Sequence, residues 1–301
     1  MKLRKQNILI IKHGAFGDLI QSDGIFRTIK RTYLNANLIL LTSSSYKNLM
    51  LLSPYIDKVI VDNRVKFWNL RKIFQLINEI DSLRFSLVFD LQNSQRTFLY
   101  KILLKSPKWI TTKRKDHPIS GLQGLVDMLN DHGIPFNKIL EPNITWMAND
   151  ISLLLKKRKI IGSFIVLIPG SSKKHKEKRW PYYKELADKL LKEDFNVVSI
   201  LGPDELDLEN TIPGFKFNNL DLIDVAGIIK KSIFVIGNDS GPSHIASCLK
   251  RPGIALFVPT TSGTKSELAR PPFRIIETEA LEKFTTDDLI ISIKKFYSFL
   301  T

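Results

Sequence analysis

A single cysteine, Cys248, stands among 301 residues. It has no partner for an internal bridge, which excludes a disulfide scaffold and suits a reducing compartment. No run approaches the ~18 uninterrupted apolar residues that span a bilayer. The start, MKLRKQNILIIKHGAFGDL, sets basic residues before an apolar run as a signal peptide does, yet that run is only Ile8 to Ile11. Such a run is too short for a secretory core, so the chain is expected in the cytoplasm with residues 8–11 as its first strand. Several chemistries lack their motifs. The sequence has no G-x-x-x-x-G-K-[ST], no H-E-x-x-H, no cysteine pair and no G-x-S-x-G, which removes a Walker loop, the common zinc sites and a hydrolase elbow. D-x-D is absent too, the handle by which one class of sugar transferases holds a metal. Aromatics are not interleaved with basic residues in an RNP-like pattern, so no nucleic-acid partner is expected.

What is present is ordinary globular material with a basic excess. The chain is 44% hydrophobic and 25% charged, with 45 Lys+Arg against 30 Asp+Glu and a net charge of +15. Residues 1–155 hold 22 basic and 12 acidic side chains, and residues 156–301 hold 23 and 18. A basic excess favours polyanionic partners: phosphorylated substrates or an anionic membrane face. A solvated lysine-rich surface explains it as well.

Short apolar runs alternate with longer helical patterns from end to end. Strands are expected at 8–11, 38–41, 59–61 and 87–89, with amphipathic helices over 19–33 and 67–83. The pattern restarts after the basic stretch 156–159, with strands at 164–168, 197–201, 234–236 and 254–257, and helices over 181–193 and 221–231. A terminal helix is expected over 287–300. Strands alternating with helices predict parallel, doubly wound sheets, so the fold class is α/β with two Rossmann-like domains and a cleft between them. The boundary is placed at 155/156.

Three strand-to-helix turns carry candidate chemistry. The first is Gly14-Ala15-Phe16-Gly17-Asp18, where glycines permit close backbone approach of a ligand to a helix N-terminus. It is not G-x-G-x-x-G, and no acid closes the second strand, which argues against a nicotinamide enzyme. Asp18 is either a functional carboxylate or a capping or first-turn residue facing the helix dipole. The second turn is Pro169-Gly170-Ser171-Ser172, followed by a lysine-rich run to Arg179 and by Trp180-Pro181. It reads as an anion site or as a solvated basic loop. The third is the octet from Gly237 to His244, in which Asp239, Ser240, Gly241 and His244 precede or open a helix. Capping explains each of these residues singly, whereas the octet with a second small-residue turn favours a phosphate site.

Together these segments resemble the ADP-heptose:lipopolysaccharide heptosyltransferase family, glycosyltransferase family 9. The matching pieces are GAFGD, Asp90-Leu91-Gln92, PGSS with KRWP, Leu201-Gly202-Pro203-Asp204-Glu205, and NDSGPSHIASCLKRPGIALFVPT from Asn238. They occur in the family's order over nearly the whole chain. The resemblance implies a GT-B fold, with domains 1–155 for the acceptor and 156–301 for the nucleotide sugar, and a terminal helix 287–301 that often returns to the first domain. It implies inverting transfer of heptose from ADP-heptose to a sugar hydroxyl of the lipopolysaccharide inner core, with no cofactor and no required metal. Asp18 then matches the general base. Ser171, Ser172, Lys178, Asp239, Ser240, Gly241 and His244 match the diphosphate site, Asp204 or Glu205 the ribose site, and Leu220 the adenine site.

On the acceptor side, Gly14, Gly17, Arg64, Arg96, Lys113 and Arg114 are candidates to meet the anionic core or the cytoplasmic leaflet that carries it, so the enzyme is expected to be peripheral on that membrane. The family's usual G-P-T-D-P is replaced by Val258-Pro259-Thr260-Thr261-Ser262, which leaves another nucleotide sugar or acceptor as the alternative. A non-catalytic nucleotide or anionic-surface binder is the alternative from another class.

Overall fold

The computed structural model describes residues 5–104, 108–111, 121–134, 141–171, 175–203, 205–258 and 267–296. The chain divides into two compact units, Met1–Met147 and Ala148–Thr301. The division falls ahead of the expected 155/156 boundary. The cause is local: the Asn149 N–H donates to the Ile223 carbonyl at 3.1 Å, and its Nδ2 donates to Asp224 at 2.8 Å. Those bonds place the segment before the basic stretch with the second unit.

The first unit is a parallel sheet of β1 (Gln6–Ile11), β2 (Ala36–Thr42), β3 (Lys58–Val61), β4 (Phe85–Asp90) and β5 (Lys108–Thr111), in the order β3-β2-β1-β4-β5. β1 is apolar at consecutive positions because both its faces are covered. Ile8 and Ile10 enter one core with Ile25, Phe26 and Ile29, while Leu9 and Ile11 enter another with Ile73, Ile77 and Ile80. Each such side chain contributes roughly 1.5–3 kcal/mol on full burial. The helix expected over 19–33 is instead two, Phe16–Gln21 and Asp23–Thr32. The Ser22 hydroxyl and N–H both bond the Asp18 carbonyl, at 2.7 and 3.2 Å, which turns the chain between them.

The second unit is a parallel sheet of β6 (Phe164–Ile168), β7 (Asn196–Leu201), β8 (Phe215–Asn218), β9 (Phe234–Asn238), β10 (Gly253–Phe257) and β11 (Phe273–Glu277). Its order, β11-β10-β9-β6-β7-β8, is that of a dinucleotide-type Rossmann sheet, and the first unit has the same order less one strand. The last described helix is Thr286–Phe296. Its Leu289 and Ile293 belong to the core of the second unit, beside Trp180 and Leu186.

Strand order reverses beside the first strand of each sheet, between β1 and β4 and between β6 and β9. Open α/β sheets bind ligands at the carboxyl ends of strands at such switch points. The loops after these four strands are the GAFGD, DLQ, PGSS and NDSG segments. No described helix is long and apolar enough to cross a membrane.

Candidate active site

In the first unit the chain leaves β1 through Lys12 and His13 to Gly14, whose φ is +124°. A side chain there would be strained, and a Cβ would come within 3.0 Å of the Tyr46 ring, so glycine is required. Asp18 then stands exposed in the first turn of the helix Phe16–Gln21, with Gly17 buried beside it. The helix's N-cap is Ala15, which makes no side-chain cap. Asp18 therefore does not cap; it is a first-turn carboxylate. Lys12 is its cationic neighbour. That ammonium is almost buried, and burial lowers its pKa while the charges of Asp18 and Asp90 oppose the shift.

Across the switch point the His13 N–H donates to Gln92 Oε1 at 3.0 Å. The His13 ring lies 2.8 Å from buried Asp62, at the end of β3. Asp62 also accepts from the Tyr100 hydroxyl at 2.6 Å and from the Arg64 N–H at 2.7 Å. Burial alone would raise the Asp62 carboxyl, but the bonds from His13, Tyr100 and Arg64 hold it below its usual value. Arg96 completes the network. It donates to the Tyr100 hydroxyl at 2.9 Å and to the Val65 carbonyl, and it covers the Phe67 ring at 5.0 Å. Its guanidinium is thus engaged in framework, while Arg64 is exposed with φ +47°. Lys113 and Arg114 lie outside the described residues. Lys12, His13 and Asp62 were not singled out from sequence, and only their neighbourhood to GAFGD would have pointed to the first two.

In the second unit Asn238, fully buried at the end of β9, ties the pieces together. Its Nδ2 donates to the Pro169 and Gly170 carbonyls at 2.8 and 3.2 Å, and its Oδ1 accepts from the Trp180 N–H and the Tyr183 hydroxyl. One amide therefore fixes PGSS and KRWP against NDSG. Lys178, on the 3₁₀ turn Lys176–Lys178, reaches Asp239 with Nζ 2.7 Å from Oδ2, both mostly buried. Ser171 donates to the His175 carbonyl at 2.7 Å and accepts from Arg179, which also pairs with Asp207 at 2.9 Å.

Ser240 is the N-cap residue of the helix Gly241–Cys248, yet its side chain makes no cap bond. Its hydroxyl lies 3.3 Å from Ser243 Oγ, which donates to the Asn238 carbonyl, while the His244 N–H donates to the Ser240 carbonyl. Asp239 pairs with Lys178 rather than capping, and the first N–H groups of the helix are not taken by the side chains expected to cap them. Such a terminus beside an ammonium is suited to an anion. Glu205 folds over the turn: its carboxylate accepts from the Gly202 N–H at 2.7 Å and lies where a Cβ at Gly170 would fall, 1.7 Å from its Cδ. The buried Tyr183 hydroxyl is raised by desolvation and then by the charge of Glu205. Ser172 and Asp204 lie outside the described residues. Leu220 is half-buried beyond β8, the edge strand, two strands from β6. Among the described residues no group of three or more His, Cys, Asp or Glu could hold a metal ion.

Residues 145–275 match the profile of Glycosyltransferase family 9 (heptosyltransferase). That stretch contains the whole PGSS, KRWP and NDSG constellation. Over that stretch the chain is similar to a glycosyltransferase family 9 domain. The transferase is 23% identical to lipooligosaccharide heptosyltransferase 2 of Haemophilus influenzae, over 92% of this chain and 90% of that one. In fold it is similar to the ADP-heptose lps heptosyltransferase II of E. coli, with a TM-score of 0.80 at 18% identity over 97% of this chain and 98% of the other. The E. coli heptosyltransferase WaaC, solved with ADP, is similar at TM-score 0.76 and 14% identity, over 97% and 100% of the two chains. The two Rossmann-like units of the transferase thus have the GT-B class of fold.

Proposed function

We propose that this transferase moves a heptosyl group from ADP-heptose to a sugar hydroxyl of a lipopolysaccharide-type inner core, with inversion at the anomeric carbon. The observation that carries the reading is the second-unit constellation: Asn238 clamping two small-residue turns, with Lys178 and Asp239 paired beside a helix N-terminus. The name of the Haemophilus relative and the ADP bound to WaaC support the donor class. Asp18 takes the proton from the acceptor hydroxyl as that oxygen attacks the anomeric carbon opposite the departing ADP. Lys178 and the N–H groups of Gly241 and Ser243 stabilise the charge that grows on the diphosphate. Ser171, Ser240 and His244 line this phosphate region, Glu205 receives the ribose and Leu220 packs on the adenine. The scheme uses no metal. Gly14, Gly17 and Arg64 border the acceptor, and the enzyme works as a peripheral protein at the cytoplasmic face of the membrane that carries it.

The test is ADP release by the purified chain, given ADP-heptose and a panel of other nucleotide sugars, with and without Kdo-lipid A and with and without EDTA. Acceptor-dependent release from ADP-heptose alone, unaffected by EDTA, is expected. Release from another sugar nucleotide would move the donor; absence of both ADP binding and release would end the reading.

Gly170 supplies a sharper check on the donor side. The nearest atoms to an alanine Cβ there are the flexible end of Glu205, so Gly170→Ala is expected to fold with little change in Tm while displacing that carboxylate. By calorimetry it should weaken ADP binding about as much as Glu205→Gln, and the double variant should be no worse than either. Additive losses would show that the two positions act separately.

A further inference from the structure

Between Asp62 and Glu79 the chain has no acidic residue, and it carries Arg64, Lys66, Arg71 and Lys72. Interleaved with them is the largest exposed apolar feature of this stretch: Trp68 is 76% exposed, Leu70 59%, Phe74 49% and Phe67 47%. Large apolar side chains at such exposure, close together, mark an interaction surface. The helix Leu70–Ser82 explains how they arise. Its buried stripe is Ile73, Ile77 and Ile80, and at ~100° per residue Leu70 and Phe74 fall beside that stripe, widening the apolar face past what the core covers. Phe67 and Trp68 form the turn before the helix, which Asn69 caps by accepting from the Lys72 N–H. Lys66 Nζ sits 4.8 Å from the Trp68 ring centroid, so ammonium and indole present one composite face.

We infer that residues 66–74 dock this enzyme on an anionic bilayer surface, Trp68, Leu70 and Phe74 entering the headgroup region while Lys66, Arg71 and Lys72 meet lipid phosphates. The inference rests on the proposed function insofar as that supplies a lipid-anchored acceptor. An indole flanked by cations, with the paired apolar and basic faces of a short helix, has the chemistry of an interfacial anchor. A protein partner for so basic a patch would have to be acidic, whereas the bilayer offers anionic charge and an apolar layer at once.

Placement fits as well. The segment follows β3 and so leaves the sheet at the end from which the Asp18 loop leaves β1, the strands being parallel. Asp62 bonds both straps, through the Arg64 N–H at 2.7 Å and the His13 ring at 2.8 Å. Docking through 66–74 therefore brings the Asp18 end of the sheet to the lipid surface.

The full chain is to be floated with vesicles of phosphatidylethanolamine and phosphatidylglycerol, and with vesicles of phosphatidylcholine alone. Flotation with the anionic vesicles only, weakening as salt rises, is expected. Trp68→Ser with Phe74→Ser should lower the partition coefficient by about tenfold or more, and Lys66→Gln with Arg71→Gln and Lys72→Gln should lower it similarly and flatten the salt dependence. Trp68→Phe should keep binding but lose the blue shift of tryptophan emission, since Trp180 is buried and Trp109 and Trp146 are partly covered. These side chains are exposed, so unchanged Tm values are expected in all variants.

Failure of wild-type flotation, or variants that float as wild type does, would overturn the inference. So would a dimer that buries Trp68 without lipid binding. ADP release with a delipidated core oligosaccharide is measured alongside. A chain that floats but releases no ADP loses the heptosyl reading and keeps the docking face, and one that releases ADP but ignores vesicles loses only the docking face.

Discussion

Asp18→Asn is expected to leave ADP affinity unchanged and to lower turnover by about 10²–10⁴-fold, the usual contribution of a positioned general base. The substitution keeps the size and shape of the side chain and removes its charge and its ability to take a proton. Its effect on folding should be small. Ala15, not Asp18, is the N-cap residue, and Asp18 is exposed, so what is lost is a charge in the first turn of a helix, about 0.3–1 kcal/mol. Loss of the carboxylate also removes a neighbour that favours the protonated Lys12 ammonium, without opening the core. Thermal unfolding, calorimetric ADP titration and ADP-release kinetics with a saturating donor separate these effects. Turnover within about tenfold of wild type would show that another group takes the proton. A chain with no transfer activity to lose, in which the variant differs only in Tm, would favour a non-catalytic binder.

The turns that carry this chemistry were legible because each is contiguous: a strand, two or three small residues and a helix start. What joins them was not. Lys178 and Asp239 are separated by 61 residues and Asp62 and Tyr100 by 38, so sequence shows the charges but not which will pair. Arg96 illustrates the consequence. Sequence offers it as a lone basic residue, and only the structure sets its guanidinium 2.9 Å from the Tyr100 hydroxyl and 3.8 Å from Asp62.

Asn238 was visible inside the octet, but its amide bonds three segments that only the order β9-β6 makes adjacent. The central strands were read from their apolar runs, since a strand covered on both faces has a continuous pattern. β5, β8 and β11 escaped because they are edge strands with half-exposed patterns such as that of Phe215–Asn218, whereas β3, also at an edge, was read because its Val59 and Ile60 are both buried. The break between the first two helices escaped too, because Ser22 acts there through a local bond to Asp18 rather than through a glycine or proline.

Lys178→Ala is expected to lower kcat/KM by about 10²–10³-fold, as for other groups that stabilise charge developing in a transition state, and to weaken ADP binding with it. The geometry makes the loss larger than that of one cation. Lys178 Nζ lies 2.7 Å from Asp239, and both side chains are mostly buried. Removing the ammonium therefore leaves a carboxylate without its counter-ion beside the place proposed for the diphosphate. An incoming ADP then loses an attraction and meets a repulsion of like charges.

Adding Asp239→Asn to Lys178→Ala separates the two contributions. The double variant is expected to recover roughly tenfold in ADP affinity over the single one, equivalent to about 1.4 kcal/mol of relieved repulsion. Asp239→Asn alone should bind ADP at least as well as wild type, because it frees the ammonium. Stability moves the other way, since each single variant leaves a partly buried partner unpaired while the double leaves none; thermal melts of the three check this. A double variant no better than Lys178→Ala would show that Asp239 is not a mere counter-ion. The carboxylate would then be a direct contact of the sugar nucleotide, set at the head of the helix to accept from a donor hydroxyl, with Lys178 holding it in place.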